Sequence, residues 1–255
     1  MDIIQKEFRD NRLTEECTQK MVVLIPKGNW EFREIGLVEL IRKALLGVVN
    51  RRIGVAVQFH DMLHGFRDGQ GKGNVYLESN LIYQITAMRE EVLYEVLLDL
   101  RKAYDALYRE RCMEIMAGYR IGLQTERIIK FYWEDLPIVE IAGQYYGAPF
   151  KGHQGATQGD TLSPTIFNMV VDAVIHHWVT LVEGEDAGTE VFRQVIQWLA
   201  VLFYTENGLL NSPRPARLQE ALENLTRLFD RVGFQTNVKK RWGWYARHVI
   251  LMVGT

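Results

Sequence analysis

The chain has 255 residues, 47% of them hydrophobic, with 30 Lys and Arg against 32 Asp and Glu. That size and composition suit one large globular domain or two small ones and exclude a disordered chain. A net charge of -2 excludes a polycation, so any contact with nucleic acid has to come from local patches. The charged N-terminus (MDIIQKEFRDNR) lacks an apolar signal region, and no apolar run approaches the roughly eighteen residues of a membrane span. The expectation is an intracellular protein, cytoplasmic or nuclear, with no membrane partner. Cys17 and Cys112 belong to no metal or disulfide motif and read as plain buried or half-buried thiols.

In chain order, residues 34–52 (EIGLVELIRKALLGVVNRR) space Ile35, Val38, Ile41, Leu45 and Val48 as a helical stripe. Arg42, Lys43, Arg51 and Arg52 form one basic patch there, and KKRWGWYAR at 239–247 forms a second. Alone, such a cluster is more often a solvated face than a binding site. Residues 60–73 (HDMLHGFRDGQGKG) read as a loop, after which NVYLESNLIYQITAMR resumes a helical period. His60 and His64 have ligand-like spacing, but their glycine-rich setting argues for a polar loop, and GQGKG lacks the strand and closing residues of a phosphate loop.

VLYEVLLDL at 92–100 is an apolar strand that delivers Asp99 to its end, and KAYDALYRERCMEIMAGY then predicts a helix closed by Gly118. Residues 122–133 predict another helix, and LPIVEIAG with YYGAPFKGHQ a hairpin turning near Gly143. Ser163 and Pro164 open a long apolar helix in which Asp172, His176 and His177 read as solvated, hydrogen-bonded or boundary positions. VFRQVIQWLAVLFYTENGLLNS supplies two or three strands, LQEALENLTRLFDRVG an amphipathic helix with a glycine cap, and FQTNVKKRWGWYARHVILMV a hairpin-like close. Strands and helices mix without strict alternation, so the fold class is α+β.

Two acidic groups stand at strand tips, Asp99 and Glu206, the latter in the turn of LFYTENGLL. Burying an unpaired carboxylate costs several kcal/mol, so such a pair signals a shared cation or an exposed sheet edge; an ordinary turn acid is the alternative. Five ordered blocks make the pattern specific: IPKGNWEFREIGL at 25–37, DLRKAYD at 99–105, QGATQGDTLSPTIFN at 154–168, LFYTENG at 202–208 and GFQTNVKK at 233–240. With these the chain resembles the reverse transcriptases, particularly those of group II introns and non-LTR retroelements.

The resemblance implies a right-hand polymerase with an antiparallel palm sheet backed by helices, fingers over 1–90 and palm over 91–255, and a fingers-associated segment around 122–156. The chain ends at MVGT, which leaves no room for a helical thumb. The implied chemistry is RNA-templated DNA synthesis from a DNA or RNA primer and dNTPs, with two Mg²⁺ or Mn²⁺ ions held by palm carboxylates. Asp99 matches the first of these carboxylates. The family's Tyr-x-Asp-Asp hairpin falls on Tyr204, Thr205, Glu206 and Asn207, so the resemblance implies Asp99 and Glu206 as the metal ligands, with Asn207 in the place of an acid.

The longer Glu206 side chain and the neutral Asn207 imply a weakened two-ion site and impaired synthesis. The alternative is a non-catalytic nucleic-acid-binding relative or a decayed retroelement fragment. By the same resemblance Tyr104 is the gate against a ribose 2′-OH, Lys27 and Arg33 grip the triphosphate, and Gln158 and Gly159 pack on the nucleotide. Lys240 protonates pyrophosphate, and Arg67 and Lys72 contact nucleic-acid phosphates. Thr161 stands where the family has proline. Each also has a plain structural reading: a core tyrosine for Tyr104, a helix-entry turn for Gln158 and Gly159, solvated surface cations for the lysines and arginines.

Overall fold

The computed structural model of the chain describes residues 20–29, 31–38, 40–88, 90, 92–134, 138–152, 154–156, 159–183, 200–237 and 249–251. In chain order its elements are β1 (Lys20–Gly28), β2 (Glu31–Leu37), α1 (Leu40–Ala56), α2 (Lys72–Met88), β3 (Leu93–Arg101), α3 (Ala103–Ala106), α4 (Arg109–Gly118) and α5 (Leu123–Glu134). There follow β4 (Ile138–Ala142), β5 (Tyr145–Tyr146), α6 (Ser163–Glu183), β6 (Ala200–Tyr204), β7 (Asn207–Ser212), α7 (Pro215–Arg231), β8 (Gln235–Thr236) and β9 (Val249–Leu251). Helices and strands are mixed, as α+β requires.

The chain forms two compact units, Met1–Gln58 with Tyr104–Met169, and Phe59–Ala103 with Val170–Thr255. The first contains a four-stranded sheet in the order β2-β1-β4-β5. β1 and β2 are antiparallel, with Met21 opposite Leu37 and Ile25 opposite Arg33, while β4 runs parallel to β1. The second contains the sheet β6-β7-β3-β8, with β9 also on β3. β3 is buried along nearly its whole length, which is why it reads as a continuous apolar run. Beneath this sheet α7 buries Leu218, Leu222, Leu225 and Phe229, and Phe229 meets the rings of Phe203 and Phe234.

Four expectations are corrected. Residues 34–37 are the end of a strand, not the start of a helix, because β1 pairs with them residue by residue; the helix begins at Leu40. The helix expected after Asp99 is broken between α3 and α4, since the carbonyls of Tyr104 and Leu107 accept from Ala156 and Gly155 N–H groups at 2.7 and 2.8 Å and so are taken by a distant loop. The final segment does not close as a hairpin among the described residues: β8 pairs antiparallel and β9 parallel with β3. Ser163–Val182 is, by length and composition, apolar enough to cross a membrane. More than half of it is buried in the fold, as a core helix would be.

Asp172 on that helix is fully buried and accepts from His60 N at 2.6 Å, whereas His176 and His177 are exposed. Burial pushes the Cys112 thiol up to about 12, the state of an inert thiol. Cys17 and the basic patch at 239–247 lie outside the described residues.

Candidate active site

Strand side chains alternate, so Leu93, Glu95, Leu97 and Asp99 share one face of β3. The ladder to β7 sets Glu95 opposite Asn211, Leu97 opposite Leu209 and Asp99 opposite Asn207. The middle of this face is apolar, with Ile82 of α2 packed on Leu93, Leu202 and Leu209. Its two ends are polar. At one end the buried Glu95 carboxylate accepts a short hydrogen bond from the Tyr83 hydroxyl and another, at 2.9 Å, from the Asn211 amide nitrogen. Burial raises the Glu95 carboxyl, outweighing the lowering by Tyr83, and burial raises the Tyr83 phenol as well.

Asp99 occupies the other end. Leu100 N donates to the Glu206 carbonyl at 3.0 Å, which makes Leu100 and Glu206 a hydrogen-bonded pair and Asp99 and Asn207 the adjacent non-hydrogen-bonded one. In that kind of pair the facing side chains stand closest, with Cα atoms about 4.5 Å apart. On the other edge of β3, Asn237 donates its backbone N–H to the Asp99 carbonyl at 2.7 Å and its Nδ2 to Asp99 Oδ2 at 3.1 Å. Asp99, 8% exposed, therefore lies between two carboxamides. Tyr204 extends the row as the partner of Asn207, and the Lys72 ammonium stands 5.6 Å from its ring centre.

Thr205 and Glu206 form the two-residue turn between Tyr204 and Asn207. Thr205 has φ 53°, a conformation that costs a β-branched residue on the order of 1–3 kcal/mol unless its surroundings impose it. The surroundings do so here. Phe203 N donates to Met62 O at 2.7 Å and His64 N to Phe203 O at 2.8 Å, which adds a short segment to the edge of β6. Gly65 then passes so close that a Cβ on it would lie 2.4 Å from Thr205 N. Arg67 Nη1 ties this loop together through the carbonyls of His60 and Leu63, at 2.9 and 2.8 Å.

In the first unit, Lys27 and Arg33 are exposed on β1 and β2. The Tyr104 ring stacks on Phe167, centroids 5.2 Å apart and planes at 21°. The loop from Gly152 to Ala156 is seated on the α3–α4 break by the two hydrogen bonds already described. It is also held by Arg109, whose Nε donates to Gly155 O at 3.0 Å and whose Nη1 donates to Gly152 O at 2.5 Å and Trp133 O at 2.8 Å. Burial pulls the Arg109 guanidinium below its ordinary value. Gly159 has φ 105°, and a Cβ there would meet Gly36 O at 2.6 Å, so only glycine passes β2 so closely. Asp160 Oδ1 then accepts from Leu162 N and Ser163 N, both at 2.6 Å, and caps α6.

Residues 25–249 match the family profile described as reverse transcriptase (RNA-dependent DNA polymerase). The chain belongs to the reverse transcriptase family. It is 26% identical over 201 residues to a retrovirus-related Pol polyprotein from the type-1 retrotransposable element R2 of Nasonia vitripennis, which covers 73% of this chain and 19% of that protein. A reverse transcriptase-like protein of Chlamydomonas reinhardtii is 23% identical over 226 residues, 85% of this chain and 59% of that one. The chain thus spans less than two thirds of the length of either relative. The R2 similarity supports the non-LTR side of the resemblance.

Among solved structures, telomerase from Candida tropicalis in complex with a TWJ fragment of telomeric RNA matches with a TM-score of 0.67 at 14% identity, over 89% of this chain and 41% of that one. Apo telomerase from the same organism, truncated from its C-terminal domain, gives 0.66 at 14% identity over 92% and 52%. At that identity the likeness shows the fold, that of polymerase fingers and palm.

Reverse transcriptases use divalent metal ions. The hard oxygen donors here are Asp99, with one oxygen already bonded to Asn237, Glu206 in the turn, and the Asn207 amide. No group of three or more His, Cys, Asp or Glu suited to a metal occurs among the described residues. This set does not fit a pair of divalent ions. Of the other expected site residues, Gln158 and Lys240 lie outside the described residues, and the Arg67 guanidinium is engaged within its own loop. Sequence reading did not single out Asn237, Asp160 or Arg109, and it took Gly65 only as a sign of a loop. The first three lie in or beside the motifs it quoted; the roles of Asn237 and Arg109 come from partners far along the chain, whereas Asp160 caps the helix that follows it.

Proposed function

We propose that this reverse transcriptase domain, in an intracellular setting, binds an RNA template with a DNA or RNA primer and dNTPs, and that its own template-directed DNA synthesis is impaired. Lys27 and Arg33 would grip the triphosphate, Tyr104 would exclude a 2′-OH, and Gln158 and Gly159 would pack on the nucleotide. Lys72 would meet backbone phosphates while Arg67 braces its loop, and Lys240 would supply a proton to the leaving pyrophosphate. Lys27, Arg33, Tyr104 and Gly159 fall in the first compact unit and Asp99, Glu206 and Asn207 in the second.

The observation that carries the impairment is the neutral Asn207 directly across from Asp99. With an acid at 207, two like charges would face each other at a Cβ separation of about 5 Å, a destabilising pair until a cation joins them. With the neutral amide, that like-charge repulsion is absent and no cation is needed to relieve it. The Glu206→Asp, Asn207→Asp double variant tests this. In EDTA it should melt below the parent, it should gain stability as Mn²⁺ is added while the parent does not, and it should extend a primer on RNA at least tenfold faster, on the order expected for realigned ligands. Vigorous extension by the parent, or a double variant indifferent to Mn²⁺, would refute the metal-site account. The Asn237 amide bonded to Asp99, with a second amide across the ladder at Asn207, favours a second reading, a non-catalytic nucleic-acid-binding relative. Tight binding of primer and template by a double variant that still fails to extend would select it.

A further inference from the structure

We propose that Arg109 is a positioning residue of the nucleotide pocket, one that sets how closely the Tyr104 ring guards the sugar. This rests on the reading of Tyr104 as the sugar gate. The guanidinium reaches three main-chain carbonyls from two separate stretches, Gly152 and Gly155 in the loop and Trp133 near the end of α5, and its plane also lies near the Trp133 ring, 5.9 Å from the centroid. An arginine spends its fork in this way only where geometry has to be fixed; a lysine, with one nitrogen on a flexible stem, cannot hold the same acceptors together.

What Arg109 fixes lies against Tyr104. Gly155, held at φ 82°, approaches so closely that a Cβ would come within 2.9 Å of Asp105 O and 3.1 Å of Tyr104 O. Its neighbour Ala156 donates to Tyr104 O at 2.7 Å. The Tyr104 backbone is therefore held by the loop, the loop by Arg109, and the ring by Phe167. Three residues beyond Ala156 in the chain, Gly159 makes its close passage over Gly36. Loss of the arginine frees the loop to lift from the α3–α4 break, and the ring loses its backbone reference without losing its stacking partner.

The experiment is an equilibrium binding measurement of dATP and ATP, each with Mn²⁺, to the chain assembled on an RNA template with a chain-terminated DNA primer, so that no extension is needed. The parent should prefer dATP. Tyr104→Ala should abolish the preference, and Arg109→Lys should lower it on the order of tenfold by admitting ATP. The double variant should be no less selective than Tyr104→Ala alone, because Arg109 acts through Tyr104. Gly155→Ala, which pushes the loop off from the opposite side with Arg109 intact, should reproduce the loss and stands in if Arg109→Lys fails to fold. A parent that shows no preference removes the gate reading and this proposal with it. A parent that discriminates while folded Arg109→Lys and Gly155→Ala retain the full ratio overturns the proposal alone.

Discussion

Glu95 and Asp99 share one face of β3 and differ in what surrounds them. Asp99 sits at the strand tip between Asn207 and Asn237, whereas Glu95 is sealed beneath α2 by Tyr83 and Asn211. Burial raises the folded-state pKa of Glu95 above its ordinary 4.5, so the native state holds a proton that the unfolded chain releases. Stability from this group is therefore full below about pH 4.5 and falls as pH rises through the raised folded value. Glu95→Gln, which keeps a neutral hydrogen-bonding group in place, should flatten that part of the stability profile and melt no lower than the parent at pH 8; denaturation midpoints across pH 4 to 8 measure it. Asp99 was legible in the sequence because it ends an apolar run inside a known motif. Asn237 was not, although it lies in a quoted block, because only the pairing of β3 with a segment more than a hundred residues away gives an amide that role.

The hairpin LFYTENGLL was legible as an element, since apolar residues flank a short polar tip. Its brace was not, because residues 60–65 read as an unconstrained glycine-rich loop until His64 and Met62 are seen bonded to Phe203. This brace predicts a sharp penalty at one position. Gly65→Ala puts a methyl group against the main chain at Thr205, where nothing flexible can yield, and should cost about 1–3 kcal/mol in urea denaturation. Gly69→Ala, open on all sides but at positive φ, should cost about 1 kcal/mol through backbone strain alone. Equal penalties would mean that the loop does not seat on the turn. The same long-range logic explains why residues 34–37 mislead: Ile35 continues the helical stripe of Val38 and Ile41 until β1 is placed beside it.

At the scale of the chain, the two units are interleaved, each built from two separate stretches. A division into 1–90 and 91–255 would part β1 from its parallel neighbour β4 and α2 from the strand face it covers. Neither half, expressed alone, should give a cooperative urea transition or a dispersed amide spectrum, while the two mixed should recover part of both; a steep transition from either half by itself would show that these pairings are dispensable. The class α+β and the order of most elements were readable from periodicity, but the interleaving was not, since nothing local announces a parallel partner. The arrangement of β3 matters before the protein is finished. It leaves the ribosome with its edges bare, and β7 is made roughly a hundred residues later, a wait of about 5–20 s at ordinary translation speeds. For that interval the most apolar strand of the nascent chain is an open template for the wrong neighbour, so faithful production depends on whatever shields it until the last third has been synthesised.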